Sequence, residues 1–335
     1  MFTKSEIIDL VEKQDAKATE ILCGEADRVR KENVGDEVHL RGLIEFSNYC
    51  RRDCLFCGLR RSNKNVMRYR MAVEEIFDQA RLAKHLDFKT VVLQSGEDHS
   101  YSIKEICSLV ERIKSELGLA ITLSIGERTY GDYESLKKSG ADRYLMRFET
   151  SSRTLFEWLK PDSDYGMRFQ CLQWLRELGY QVGSGIMVGL PEQSPAGLAE
   201  DILKFRELDL DMIGLGPFIA SPDTPLHDQA NGGIDMVLRV TALTRIVTRN
   251  THIPATAATG TIDPEGRQKA LRCGANVVMP NLTPSKYREH YLIYPDKICI
   301  GEEPLKCRSC VEGMVLSLGR TIAKDAGHSL KTSLN

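Results

Sequence analysis

Eight short β-rich runs separated by stretches of helical periodicity constrain this chain more than any other feature. The runs are 37–47 (EVHLRGLIEFS), 89–95, 120–126, 142–149, 181–189, 211–219, 253–258 and 276–280. Between them, segments such as 72–86, 102–117, 166–179, 195–208, 235–249 and 264–273 repeat apolar residues at the spacing of one helix face. Strands that alternate with helices run parallel, because each helix carries the chain back to the starting end of the sheet. Eight such units match an α/β fold of the (β/α)8 TIM type. A doubly wound open sheet satisfies the same alternation, since the pattern does not reveal closure.

Around this core the sequence predicts an N-terminal helical extension over 1–36, a barrel over 37–282, and a C-terminal segment over 283–335 that closes one end. Thr3 and Glu6 form a capping-box signature for the first helix. No linker-like tract or internal repeat divides residues 1–335, so one domain is expected. A net charge of −2 leaves no global electrostatic footprint for nucleic acid or an anionic membrane. The N-terminus lacks the apolar core of a secretory signal, and no apolar run approaches the roughly 20 residues that span a bilayer. A cytoplasmic location is expected. In a reducing compartment, the ten cysteines point to metal binding or catalysis rather than disulfides.

Three cysteines stand immediately after the first strand, in Cys50-Arg51-Arg52-Asp53-Cys54-Leu55-Phe56-Cys57. Strand ends on one face of a barrel are where catalytic groups gather. Soft thiolates select iron–sulfur centres or zinc. A structural zinc site normally takes four ligands, and 58–65 offers no obvious fourth. Zinc completed by a distant His or Cys remains open on spacing alone. A second group, Cys299, Cys307 and Cys310, reads as unrelated thiols, half a zinc ribbon or a second cluster. Cys23, Cys107, Cys171 and Cys273 fall in helical segments and are expected as small buried residues.

C-x3-C-x2-C with Phe56 before its last cysteine resembles the signature of the radical S-adenosylmethionine (SAM) family. The resemblance spans nearly the whole chain and is closest to [FeFe]-hydrogenase maturases of the HydE type. It is carried by 44–48, 93–98, 187–191 (MVGLP), 214–219 (GLGPFI), 253–256, 272–276 and the C-terminal C-x7-C-x2-C. It implies an oxygen-sensitive [4Fe–4S] cluster on Cys50, Cys54 and Cys57, with one iron open to SAM. It also implies a second iron–sulfur cluster on Cys299, Cys307 and Cys310. By position it assigns SAM contacts to Gln94, Ser95, Gly96, Glu97, Glu149, Arg168 and Met212. The expected chemistry is reductive cleavage of SAM to a 5′-deoxyadenosyl radical. That radical would attack the cysteine sulfur of an iron carbonyl cyanide complex, a small organometallic substrate, in assembly of the hydrogenase diiron subcluster. The partners implied are other hydrogenase maturases and an electron donor such as ferredoxin or flavodoxin.

Several of these residues have ordinary readings. Ser95-Gly96 suits any strand-ending turn, Arg168 could be a surface helix arginine in an ion pair, and Met212 and Met279, of which the resemblance places Met279 in the wall of the substrate cavity, could be core methionines. Tyr291 and Tyr294, which the resemblance places in the reaction chamber, could anchor the C-terminal segment. Arg41 inside the first strand needs a partner, either a substrate anion or a carboxylate such as Glu45. Thr122 and Ser124 alternate on one face of the third strand and offer hydroxyls to a substrate. Thr256 belongs to the substrate set too, although the family's frequent second threonine is Ala257 here. Gly183-Ser184-Gly185 does not fit G-x-G-x-x-G and is expected to make interior room. The basic stretch from Arg51 to Arg70 is expected to be a solvated surface. Two alternatives are carried: an amino-acid mutase like methylornithine synthase, and a zinc-stabilised binding protein without enzymatic activity.

Overall fold

The computed structural model describes residues 2–13 and 15–331. Two helices come first, α1 (Lys4–Glu12) and α2 (Ala16–Val34). The Thr3 hydroxyl and Glu6 carboxylate form the expected capping box at the start of α1. The strand–helix alternation then runs β1 (Glu37–Ser47), α3 (Val73–His85), β2 (Thr90–Ser95), α4 (Ile103–Arg112) and β3 (Ala120–Ser124). It continues through α5 (Tyr130–Lys138), β4 (Arg143–Leu145), α6 (Arg153–Leu159), α7 (Tyr165–Glu177), β5 (Gln181–Val188), α8 (Pro195–Glu207) and β6 (Met212–Pro217). The remaining elements are α9 (Ile234–Thr248), α10 (Ala257–Ile262), α11 (Gly266–Arg272), β7 (Val277–Val278), α12 (Ser285–Arg288), α13 (Pro304–Ser317) and β8 (Thr321–Ile322).

All strand pairings are parallel, in the order β6-β5-β4-β3-β2-β1-β7, with β8 on the first residues of β1. The extended residues 252–255 bridge the gap between β6 and β7, through Met212–His252 and Pro254–Val277. Backbone pairing therefore runs around the whole ring, and the barrel expectation holds. Only these few residues of the expected 253–258 strand pair, because the Thr256 hydroxyl accepts from the Thr259 amide and starts α10 instead. The expected helix over 102–117 begins as α4 and finishes as a π-helical turn, Ile113–Leu117.

The strand faces away from the barrel interior pack against the helices in one continuous apolar core, with Val91, Ile121, Tyr144, Ile186 and Ile213 almost fully buried. Behind the barrel, Cys23 of α2 and Cys273 at the end of α11 form a disulfide across 250 residues. This departs from the expectation of two separate thiols. The contact of α2 with α11 brings the two Cα atoms within 4.2 Å, a proximity that local sequence does not show.

The far, amino-terminal end of the barrel is closed by the last described residues. Carbonyls of Ala326 and Gly327 accept from Arg143 and Arg41, and Ser329 reaches Asp211 and Gln181. Among the described residues, the interior is thus open toward the strands' carboxyl ends and covered at the other.

Candidate active site

Cys50, Cys54 and Cys57 leave the end of β1 on a loop held from several sides. The Leu55 amide donates to Leu159 O (2.9 Å), and the Asp53 amide donates to the Asp162 carboxylate (3.2 Å). The expected solvated arginines do much of this holding. The Arg68 guanidinium gathers four backbone carbonyls, from Asn48, Leu59, Arg60 and Asn63. Arg60 pairs with Asp53, and Arg70 pairs with Asp98 while covering the Tyr49 ring. Arg51 and Arg61 alone of the stretch's arginines keep mostly exposed side chains. Loops without regular structure need such donors, because their carbonyls have no ladder to join.

Gly96 shows why the turn after β2 is glycine: a Cβ there would stand 2.2 Å from Tyr49 O and 2.9 Å from Cys50 Cβ. That close approach lets the Glu97 amide donate to Cys50 Sγ at 3.4 Å. Burial pushes all three thiols upward, Cys54 to about 11. Each gives up its proton readily only to a bound metal. The three sulfurs do not all lie within 4.8 Å of one another. Tetrahedral zinc at about 2.3 Å from each thiolate would hold them about 3.8 Å apart. The spread suits a larger, multi-iron centre.

Beneath Cys57 lies a chamber of about 310 Å³. Arg41, Gln94, Thr122, Glu149, Met212, Thr256, Met279 and Tyr294, all expected at the site, line it. Tyr291 adjoins it, 3.4 Å from the Gln94 amide nitrogen. Ser124, Ser95, Gly96, Glu97 and Arg168 lie outside its lining. The Glu97 carboxylate is turned to Arg52 (2.8 Å) and to the Glu127 amide. Arg168 is buried rather than on the surface, and its Nε donates to Glu127 at 2.7 Å. These groups form a network beside the cysteines.

Sequence reasoning missed Arg147, His252 and Lys297 in the chamber wall. Glu45 pairs with Lys297 and accepts from Asn281 (2.7 Å), so it is not the partner of Arg41. Arg41 instead donates to Met212 Sδ (2.8 Å) and Gly327 O (3.1 Å), and its Nε has no partner among the described residues. Alternation along β1 places Arg41 and Glu45 on one face, which was the available signal; the cross-chain partners were not visible. Gly183 and Gly185 do not make the room expected of them. Leu145 and Met212 fill the space beside Gly183, and the Gly214 backbone fills that beside Gly185.

Four buried polar atoms in the wall lack hydrogen-bond partners among the described residues: Arg41 Nε, Thr122 Oγ1, Arg147 Nε and Glu149 Oε2. Glu149 adopts a left-handed backbone (φ 68°), unusual for a side chain with a Cβ. Here β4 has stopped pairing regularly, and the Ser184 hydroxyl replaces a backbone partner for Met146 and Phe148. Buried polar groups without partners are costly in a folded chain and mark places where a ligand completes the bonding. The donors and the acceptor together fit a charged, amphoteric molecule.

At the C-terminus, Cys299, Glu302 and Cys307 bring ligand atoms within 4.8 Å of one another. Cys310 is exposed and stands outside this group. The sequence expectation had three cysteines here; the observed group has two and a carboxylate.

Thiols at the open mouth of a parallel barrel, above a chamber with unsatisfied polar groups, define an enzyme that works with a thiolate-bound cofactor. Comparison with known proteins narrows the class. The model of the radical SAM superfamily matches residues 44–205. The [FeFe] hydrogenase maturase subunit HydE of Thermotoga maritima is 50% identical over 326 residues, covering 97% of this chain and 93% of that protein. A 3-methylornithine synthase of Methanosarcina acetivorans is 29% identical over 255 residues, 76% of this chain and 72% of the relative. The crystal structure of methylornithine synthase (PylB) superposes with a TM-score of 0.83 at 25% identity, covering 96% of this chain and 94% of that one. The chain belongs to the radical SAM superfamily and, within it, to the family of HydE. It is a radical SAM enzyme, and membership implies a [4Fe–4S] cluster and SAM. Among the described residues, no helix is long and apolar enough to cross a membrane.

Proposed function

We propose that this enzyme acts in [FeFe]-hydrogenase maturation, with Cys50, Cys54 and Cys57 holding the cluster. When bound, the cluster supplies the electron that cleaves SAM and releases a 5′-deoxyadenosyl radical. The chain's own residues do the rest. Glu149, whose Oε2 is free, accepts from a charged or hydroxyl donor of SAM, and Met212 packs beside it. Deeper in the barrel, Arg41, Thr122 and Arg147 present unused donors to an anionic substrate. An iron carbonyl cyanide held by cysteine suits such a wall, because its cyanides and carboxylate accept hydrogen bonds. The closed amino-terminal end excludes bulk water, which keeps the radical from quenching on solvent-exposed groups.

The single observation that carries this reading is the chamber beneath Cys57 with its four unpartnered polar atoms. The supporting likeness is the 50% identity to HydE. Electrons and substrate would come from a ferredoxin- or flavodoxin-type donor and from partner maturases, and the location would be cytoplasmic. The Cys299, Glu302 and Cys307 group is proposed to take a second metal centre, with Cys310 reaching it only by a shift of α13.

The test is anaerobic reconstitution, iron and sulfide analysis, and a 5′-deoxyadenosine assay with dithionite and SAM. We expect a wild-type signal that disappears in Cys54→Ala. A colourless zinc protein without SAM cleavage would overturn the reading. Strong stimulation of the signal by lysine would favour the mutase instead.

A further inference from the structure

Lys160 is a buried cation with no partner. Its side chain is only 5% exposed, yet among the described residues its ammonium has neither a hydrogen bond nor a carboxylate within 4.0 Å. The nearest aromatic face, Phe156, lies 5.4 Å from Nζ. A lysine so buried is rare unless paired, because dehydration of the ammonium is costly. Burial, followed by repulsion from Arg168, holds its pKa below the ordinary lysine range.

Position explains what the charge can serve. Lys160 caps the end of α6, between two residues that grip the cysteine loop. On one side Leu159 O accepts from Leu55, and on the other Asp162 accepts from Asp53 and from Arg52. The Lys160 backbone therefore stands against the loop on both sides of Cys54, and its ammonium acts from there. It is the strongest stabilising charge on that thiolate and also acts on Cys50; it is not among the main influences on Cys57. Arg52 and Arg168 are consumed by Glu97 and Glu127, leaving Lys160 as an uncommitted cation at this side of the cysteines.

We propose that Lys160 is a positioning residue for charge, placed to stabilise the reduced, more negative state of a cluster held by Cys50, Cys54 and Cys57. The inference rests on the cluster assignment proposed above. Net charge, hydrogen bonds to sulfur and exposure set the potential of such clusters. A unit charge in a poorly screened site weighs directly on a one-electron step, whereas on the surface it would be damped. The same cation offsets the negative charge that Cys50 and Cys54 acquire as they lose their protons to metal.

The experiment is an EPR-monitored redox titration of the reconstituted full chain, for wild type, Lys160→Met and Lys160→Arg, without SAM, followed by SAM-binding measurements. Wild-type iron and sulfide content reports whether the cysteines hold a cluster at all, separately from what Lys160 does. We expect Lys160→Met to keep its cluster and to lower the equilibrium constant for reduction about tenfold, equivalent to about 59 mV more negative. Lys160→Arg should restore most of the difference. Loss of the cluster in the Met variant with retention in the Arg variant would also support the proposal. An unchanged potential, with or without weaker SAM binding, would overturn it. So would equal loss of the cluster in both variants, which would mark Lys160 as a packing residue.

Discussion

The Arg147 guanidinium lies 3.0 Å from the Glu149 carboxylate, yet the two do not satisfy each other. Arg147 Nε and Glu149 Oε2 both remain without a hydrogen-bond partner, and the nearest Arg147 nitrogen is spent on Ile186 O. The pair is close enough to balance charge and wrongly angled to close a hydrogen bond. A ligand that donates to Glu149 completes it. Glu149→Gln should therefore weaken SAM binding by about 10–100-fold, the worth of a hydrogen bond to a charged group. Glu149→Gly should lose binding as well but raise unfolding stability by about 1 kcal/mol, since φ of 68° costs glycine little. Equilibrium SAM binding and denaturant unfolding on the same preparations check both halves. A Gly variant that is less stable than wild type would refute the strain argument.

Arg41 presents the opposite balance of function and stability. It is buried, its charge is disfavoured by desolvation and by Arg143, and among the described residues no carboxylate pairs with it. Replacing a buried, poorly compensated charge with an apolar residue of similar length is often neutral or stabilising. Arg41→Met should keep or raise the unfolding midpoint. It should leave substrate-independent SAM cleavage within about twofold of wild type. Product formation from the anionic substrate should fall at least about tenfold, because a charge-assisted donor is lost. A large loss of stability would show instead that Arg41 holds the barrel floor together through Met212 and Gly327.

Much of this site could be read in advance, and what could not has definite causes. Strand β1 coincides with the expected 37–47 because Val38, Leu40, Leu43, Ile44 and Phe46 keep it apolar enough to be buried along almost its whole length, up to the cysteine loop. Arg41 and Glu45 could be placed on one face by alternation, but their partners, Gly327 and Lys297, are more than 250 residues away. The left-handed turn at Glu149 depends on Ser184 occupying a ladder position, an event on a different strand. Likewise, strand β8 is two residues long and exists only because β1 offers an open edge. Arg52, Arg60, Arg68 and Arg70 look like a basic surface when counted. They become scaffolding once their carbonyl and carboxylate partners are known.

The Cys23–Cys273 bond closes most of the chain into one loop. Under oxidising conditions Cys273→Ser should lower unfolding stability by about 2–5 kcal/mol, chiefly by freeing the unfolded chain. With dithiothreitol present the difference should nearly vanish, since both residues pack as small buried side chains either way. Denaturant titrations with and without reductant, on apoprotein, provide the comparison. A deficit that persists in reductant would mean that the cysteine side chain matters for packing.

Asp201 gives the fold a pH dependence of its own. It sits on α8 with no exposure, and burial raises its carboxyl to about 7 from an ordinary value of 3.8. Its Oδ1 accepts from the amide and hydroxyl of Ser151, two residues after Glu149, while Oδ2 has no partner. The folded state binds this proton more tightly than the unfolded state. Its contribution is therefore complete below about pH 4 and is lost as pH rises through about 7. Every tenfold gain in proton affinity on folding is worth about 1.4 kcal/mol, so the full loss is on the order of a few kcal/mol. Asp201→Asn keeps the acceptor for Ser151 and removes the ionisation. Its unfolding midpoint should match wild type below about pH 4 and exceed it increasingly from about pH 5 to about pH 8. SAM binding should follow the same trend, because Ser151 anchors the turn that presents Glu149. Parallel midpoints for the two proteins across this range would show that Asp201 stays ionised, or stays protonated, throughout.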